Sequence, residues 1–183
     1  MFFMIDVNIS PPTIQLFITG GTFDKQYNYL TGELYFKDSH IAEMLDRGRC
    51  TLDVEVRTLM MIDSLMMTDD DREMVAYSCR RSPHKHIILT HGTDTMVATA
   101  RILAAANFSD KTIVLSGAMI PYAFGMSSDG FFNLGSALSF VQMMPPGVYI
   151  AMNGRCYLWN RVQKNRQTGY FDSVGAESDD TSV

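Results

Sequence analysis

Two threonines, an aspartate and a lysine are the residues of this sequence best suited to chemistry, and each lies beside a short apolar run. Thr22 follows two glycines, where the backbone can approach a ligand closely. Thr93 and Asp94 lie just before a predicted helix, and Lys111 precedes a further apolar run. A threonine hydroxyl becomes a nucleophile only when a base takes its proton, and burial makes lysine a better base by lowering its pKa. This set therefore predicts nucleophilic chemistry, provided that the fold brings its members together.

Each of these residues also has a purely structural interpretation. Asp94 and its neighbours could cap the helix that follows them, since aspartate and threonine are preferred caps. The two glycines before Thr22 could form only a tight turn, and Lys111 could be a solvated surface lysine. Taken one at a time, these positions leave both interpretations open.

The sequence contains no signature of a bound cofactor. It has neither the GxGxxG nor the GxxxxGK[ST] pattern of nucleotide-binding loops. Its four histidines do not cluster with carboxylates or thiols, and Cys50, Cys79 and Cys156 form no CxxC pair. We therefore expect no cofactor and no metal, and we expect the cysteines to be reduced thiols.

Composition excludes several classes of protein. The chain has 183 residues, of which 46% are hydrophobic and 19% charged, as in a globular protein. That length predicts a single domain over 1–183, with its core at about 12–173. The net charge of −5, without a block of Lys and Arg, makes nucleic acid and membrane surfaces unexpected partners. No apolar run approaches ~18 residues, and residues 1–10 lack the basic start of a secretion signal, so we expect a cytoplasmic protein.

Short apolar runs alternate with helix-forming segments along the chain. This alternation is typical of βαβ units and predicts an α/β fold, a three-layer α/β/α arrangement around a mainly parallel sheet. We expect residues 23–39 to form a loop. The predicted strands are 14–18, 54–60, 87–90, 112–116 and 148–152, and the predicted helices are 40–47, 68–80, 95–106 and 131–143.

Polar turns follow four of the predicted strands. Ligands of open parallel sheets bind at the carboxyl ends of the strands, so these turns are the expected lining of a site. The turns are TGGT at 19–22, DS at 63–64, THGTDT at 90–95 and SGAM at 116–119.

In combination these turns resemble the bacterial-type L-asparaginase/glutaminase family, in a short form with the N-terminal catalytic domain only. The resemblance covers 14–155 and is weaker at GVYIAMNGR, residues 147–155. The combination of HGTDTM with GAM-x-P and SDG-x-FNL is highly specific for this family. The segments that carry it are FITGGTFDK at 17–25, IDSLMMTDDD at 62–71, ILTHGTDTMVATA at 88–100 and DKTIVLSGAMIPYAFGMSSDGFFNLGSAL at 110–138.

The resemblance implies a fold similar to the asparaginase N-terminal domain and hydrolysis of L-asparagine to L-aspartate and ammonia, with L-glutamine as a second substrate. It assigns the nucleophile to Thr22, which forms an acyl-enzyme. The second catalytic group would consist of Thr93, Asp94 and Lys111. A loop tyrosine beside the nucleophile would be Tyr27, with Tyr29 as the alternative.

The resemblance also implies how an amino-acid substrate is held. The hydroxyl of Ser64 would bind the α-carboxylate, and the carboxylate of Asp94 would bind the α-ammonium. Backbone N–H groups near Thr22 and Thr93 would form the oxyanion hole. The substrate-binding residues implied are Ser64, Gly21, Asp63, Gly92 and Ala118.

Three departures from the family pattern keep other functions open. Phe23-Asp24 follows TGGT where small residues are usual, Ile120 follows GAM where arginine is common, and the sequence ends where two-domain members continue. A non-catalytic amino-acid-binding or regulatory domain, or a hydrolase of a different amide, would share the same pocket. We expect a homodimer or homotetramer, since a single-domain form exposes apolar surface that larger relatives cover.

Overall fold

A six-stranded sheet forms the centre of the protein, in a computed structural model that describes residues 12–175. The strands of the chain are β1 (Ile14–Gly20), β2 (Lys25–Asn28), β3 (Glu33–Phe36), β4 (Val54–Ile62), β5 (His86–Thr90), β6 (Thr112–Ser116), β7 (Gly147–Met152), β8 (Arg155–Leu158), β9 (Val162–Lys164) and β10 (Phe171–Ser173). The order in the central sheet is β4-β1-β5-β6-β7-β8, in which only β8 runs antiparallel to its neighbour.

Helices cover both faces of the sheet. The helices are α1 (Ile41–Arg47), α2 (Asp69–Arg81), α3 (Met96–Ala105) and α4 (Gly130–Met143), with 3-10 helices at Thr22–Asp24 and Tyr122–Ser127. Phe17 packs in the core under α2 and α3, whereas its neighbours Leu16 and Ile18 pack in the core under α1 and α4. Successive strand residues point to opposite faces, so a strand with both faces covered must be apolar throughout. The predicted three-layer α/β/α fold is confirmed.

The predicted start of the second helix is also confirmed. Thr68 is the N-cap of α2: its hydroxyl accepts from the backbone N–H of Asp71, and the Asp71 carboxylate accepts from the N–H of Thr68. This reciprocal pair is a capping box, and acids in the first turn favour the same helix end.

The predicted loop at 23–39 is wrong, because it contains a two-stranded antiparallel hairpin, β2–β3. Its turn is closed by the side chain of Asn28, which accepts from the N–H of Leu30, and by Gly32 at a φ of 76°. The burial pattern that predicted the other strands is missing here, since every residue of β2 and β3 is half-buried or exposed. The short strands β8, β9 and β10 were likewise not predicted.

None of the helices within residues 12–175 is long and apolar enough to cross a membrane. Residues 1–10, on which the prediction of no secretion signal rests, lie outside the described part of the chain.

Candidate active site

The turns that follow β1, β4 and β5 touch one another through glycines. Gly21 has a φ of 81°, and a Cβ atom there would lie 2.3 Å from the backbone nitrogen of Gly92. A Cβ atom on Gly92 would lie 2.5 Å from the Oγ atom of Ser64. The hydroxyl of Thr95 also donates to the Ser64 carbonyl at 2.8 Å. Only glycine permits so close an approach, so these positions bring three predicted turns into one site.

A lysine from β9 lies between two of the predicted catalytic residues. The Nζ atom of Lys164 is 2.8 Å from the Oγ1 atom of Thr93 and 2.9 Å from the Oδ1 atom of Asp94. The Lys164 side chain is only 12% exposed, and Thr93 is buried. The Thr93 hydroxyl donates in turn to the Sδ atom of Met119 at 3.4 Å. A hydroxyl, an amine and a carboxylate in contact can pass a proton between them.

The assignment of Lys111 to this group is wrong. Its Nζ atom donates to the carbonyls of Ser82 and His84, each at 2.8 Å, and the side chain is buried. Lys111 precedes β6 and therefore lies at the amino end of a parallel strand, whereas the site lies at the carboxyl ends. Five strand residues, at about 3.3 Å each, separate the two ends. Lys111 instead holds the segment between α2 and β5 in place.

Thr22 lies in the 3-10 helix that follows Gly21 and is half-buried. The same helix ends in Asp24, whose Oδ1 atom accepts from the Ser39 hydroxyl and the His40 N–H, both at 2.9 Å. These bonds tie the segment carrying Thr22 to the start of α1. Burial raises the pKa of Asp24, and its Oδ2 atom has no hydrogen-bond partner within residues 12–175.

Asp63 and Ser64 form the turn after β4, as predicted from their position. The Asp63 carboxylate pairs with the ammonium of Lys25, which holds the pKa of Asp63 below its usual range. Its other oxygen accepts from the N–H of Leu65 at 2.9 Å. Asp63 therefore joins β2 to the site, and the buried Ser64 lies beside Gly92.

The two candidate tyrosines differ in their place on the hairpin. Tyr27 is in β2, two residues beyond Lys25 and hence on the same strand face. Its neighbour in the turn, Tyr29, is 82% exposed and lies outside either strand. Tyr27 therefore lies on the same face of β2 as Lys25, the residue that pairs with Asp63.

Ala118 follows β6 and is fully buried. Its Cβ atom would lie 3.4 Å from a Cβ atom built on Gly130, at the start of α4. The residue beyond Ala118 is Met119, which contacts Thr93, so this turn closes the side of the site next to β6.

His91 supports the turn without facing the site. It is fully buried; its Nδ1 atom lies 2.7 Å from the Gly92 carbonyl and its Nε2 atom 2.8 Å from the Thr99 hydroxyl. Since a carbonyl only accepts, Nδ1 carries the proton and Nε2 accepts from Thr99. Burial lowers the pKa of His91 to about 4, so the ring is neutral and structural.

The amino-acid sequence is similar to a protein-family model and to L-asparaginases from other organisms. Residues 13–178 match a family model described as "Asparaginase, N-terminal". An L-asparaginase from Thermococcus kodakarensis is 29% identical over 119 residues, which are 63% of this chain and 36% of that protein. L-asparaginase 2 from Escherichia coli is 30% identical over 135 residues, which are 69% of this chain and 38% of that protein.

Solved structures show the same fold. The thermostable L-asparaginase from Thermococcus kodakarensis superposes with a TM-score of 0.77 at 26% identity, over 88% of this chain and 51% of that one. A probable cytoplasmic L-asparaginase from Campylobacter jejuni superposes with a TM-score of 0.73 at 28% identity, over 88% and 53%. The chain therefore spans only about a third to a half of the length of these relatives.

Lys164 is the site residue that the sequence reasoning missed. The segments that carry the resemblance end at residue 155, whereas the family match continues to residue 178. No glycine turn or apolar run marks the short β9, so local pattern alone does not single it out.

Proposed function

The chain belongs to the asparaginase family, in its N-terminal part, and on that premise we propose that it is an amidohydrolase with a threonine nucleophile. One observation carries the proposal: the contact between Gly21 and Gly92, each of which directly precedes a threonine of the site. This contact supports a site in which Thr22 and Thr93 lie on adjoining turns, and the Thr93 hydroxyl accepts from Lys164. A nucleophile and a proton-accepting group at adjoining turns are what amide hydrolysis requires.

The reaction follows from these groups. The Thr22 Oγ atom attacks the side-chain amide carbon while its proton passes to the group formed by Thr93, Lys164 and Asp94. Backbone N–H groups of the two turns stabilise the oxyanion. The C–N bond then breaks, ammonia leaves with the returned proton, and the acyl group remains as an ester on Thr22. Water, deprotonated by the same route, hydrolyses the ester and restores Thr22.

L-Asparagine is the proposed substrate, with L-glutamine as the second. Asp94 uses one carboxylate oxygen for Lys164, and its other oxygen can take the substrate α-ammonium. The Ser64 hydroxyl and neighbouring N–H groups can take the α-carboxylate, because Lys25 already neutralises the adjacent Asp63. Tyr27, on the face of β2 that carries Lys25, closes the nucleophile side in this proposal.

The remaining expectations belong to the same proposal. Residues 12–173 act as the catalytic domain, and no bound metal or cofactor takes part in the reaction. The protein acts in the cytoplasm in this proposal; the similar structure from Campylobacter jejuni is that of a probable cytoplasmic L-asparaginase.

Ammonia release from L-asparagine and L-glutamine tests the proposal, measured for wild type, Thr22→Ala and Lys164→Met. Thr51→Ala is the matched control, since Thr51 is exposed and precedes β4 at the opposite end of the sheet. We expect release from wild type and Thr51→Ala, and a loss of about 100-fold or more in the other two.

Each other outcome selects a different function. If wild type releases no ammonia but asparagine or aspartate raises its melting temperature, the protein is an amino-acid-binding or regulatory domain. If neither ligand binds and a larger or D-amino-acid amide is hydrolysed in a Thr22-dependent way, the hydrolase stands and the substrate is wrong. Release that persists in Thr22→Ala would reject Thr22 as the nucleophile.

A further inference from the structure

Among residues 12–175, strand β4 is an outer strand of the central sheet, and no described segment covers either face of its amino half. Residues 55–58 are all exposed, with Val56 at 40% and the side chain of Glu55 at 62%. A strand of a parallel sheet is normally buried on both faces, and an outer strand is usually blocked by proline or lysine. The segment Val54–Thr58 contains neither and is rich in β-branched residues, which favour strand pairing.

The bonds of this segment to β1 identify the backbone groups that no other residue of the described part of the chain pairs with. The N–H of Ile14 donates to the Asp53 carbonyl, and the Gln15 side chain donates to the Glu55 carbonyl, so these odd-numbered residues face β1. Backbone direction alternates along a strand. The N–H and C=O groups of Val54, Val56 and Thr58 therefore point away from the sheet.

The regular part of β4 is short and has a defined centre. Ile14 to Ile18 pair in step with Val54 to Thr58, but the register then shifts, so that Gly20 pairs with Ile62. Beyond Thr58 the strand is bulged, so its backbone N–H and C=O groups are not regularly spaced for pairing with another strand. The pairing surface is thus five residues long and is centred on Val56.

The charges of this segment are complementary to those of its own copy. In an antiparallel pair centred on Val56, Val56 faces its own copy and Val54 faces the partner's Thr58, both as hydrogen-bonded pairs. Glu55 then faces the partner's Arg57 at a non-hydrogen-bonded position, where side chains come closest. The same contact occurs twice around the two-fold axis, and a cleft of about 660 Å³ beside Glu55 and Arg57 leaves room for it.

We propose that Val54–Thr58 of β4 pairs antiparallel with the same segment of a second copy, which joins two sheets across a two-fold axis. A second copy fits this segment for three reasons. Its outward N–H and C=O groups can pair with those of a second copy, the pairing is symmetric about Val56, and Glu55 then faces Arg57 on both sides. A closed two-fold contact uses the same patch on both subunits. The inference does not depend on any catalytic role.

The test is sedimentation of the full chain over a concentration series, with Glu55→Arg and Arg57→Glu. Each variant alone places like charges opposite each other, so we expect its dimer to form at a concentration about tenfold or more above that of wild type. In an equimolar mixture of the two, each Arg faces a Glu again, so a heterodimer should form at the wild-type concentration. Glu73→Arg and Arg101→Glu are the controls, since both residues are exposed on helices and change the net charge equally.

Val56→Pro provides a second, uncharged test. It removes an N–H that points away from β1 and leaves the bonds to β1 in place. We expect fewer associated subunits with unchanged secondary structure. A monomeric wild type, or an assembly unaffected by these variants, would overturn the proposal. So would a monomer whose Val56 amide exchanges slowly, because another segment of the chain would then occupy the strand.

Discussion

The Nζ atom of Lys164 lies 2.8 Å from the hydroxyl oxygen of Thr93, although 71 positions separate the two residues in the chain. The contact exists because the chain, after the last parallel strand β7, turns back through β8 and places β9 over the carboxyl ends of the sheet. Thr93 enters the same place from β5. The short strand β9, near the end of the chain, thus completes a candidate site whose other members come from the turns after β1, β4, β5 and β6.

Substitution of Lys164 and Lys111 separates the roles of these two lysines. Lys164→Met removes the group in contact with Thr93 and Asp94, and we expect ammonia release to fall by about 100-fold or more with the fold retained. Lys111→Met leaves the carbonyls of Ser82 and His84 without their donor, and we expect a loss of about 1–3 kcal/mol of unfolding free energy. The measurements are turnover and urea unfolding of both variants.

The folded fraction of Lys111→Met should retain wild-type turnover. If turnover fell 100-fold in Lys111→Met and remained normal in Lys164→Met, Lys111 would return to the catalytic group.

Acid should destabilise the protein through His91. Its pKa is near 6.5 in the unfolded chain and about 4 in the folded protein, so only the unfolded state takes up a proton between these values. The contribution of neutral His91 to the free energy of unfolding is therefore complete above pH 6.5. As the pH falls toward 4, about 3 kcal/mol of that free energy is lost. Urea unfolding from pH 7.5 to 4.5 measures this loss.

The matched comparison for His91 is the slope of stability against pH in two variants. His91→Gln should flatten the slope, whereas His84→Gln, at a half-buried histidine outside this network, should not. Equal slopes in wild type and His91→Gln would show that other groups cause the acid loss.

Gly21→Ala should separate the turns of the site. A Cβ atom there meets the backbone of Gly92 at 2.3 Å, and a φ of 81° adds strain, so we expect destabilisation by about 3 kcal/mol and loss of turnover. Gly32→Ala is the control: it has a similar φ of 76°, but nothing lies within 4 Å. It should cost only about 1 kcal/mol and leave turnover unchanged. Equal costs in thermal unfolding would show that the glycine contact does not matter.

Asp24→Asn should remove the energetic cost of a buried charge. The variant keeps an oxygen for Ser39 and His40, while burial no longer opposes an ionised carboxylate. Because burial raises the pKa of Asp24, the wild type is penalised above that pKa and relieved as pH falls through it. We therefore expect Asp24→Asn to be more stable than wild type at pH 8, and the difference to shrink toward pH 4 in guanidinium unfolding. A variant less stable than wild type at pH 8 would contradict this.

The central sheet and most of its turns could be predicted from the sequence, because their causes are local. A strand covered on both faces must be apolar throughout, as in the burial of Leu16, Phe17 and Ile18, and a turn after it needs glycine or a polar residue. Thr22 and Thr93 could be identified because each lies in the glycine-containing turn after such a strand. The hairpin β2–β3 could not be predicted in this way, because none of its strand residues is buried.

The tertiary structure alone decided which lysine completes the site. Lys111 and Lys164 are both buried or nearly so and both adjoin strands, and no local pattern distinguishes a base from a lysine that donates to carbonyls. The direction of β6 places Lys111 at the amino end, and the return of the chain after β7 places Lys164 beside Thr93. An apolar run predicts that a strand is buried. A contact between residues 71 positions apart depends instead on the order and direction of all the strands in the fold.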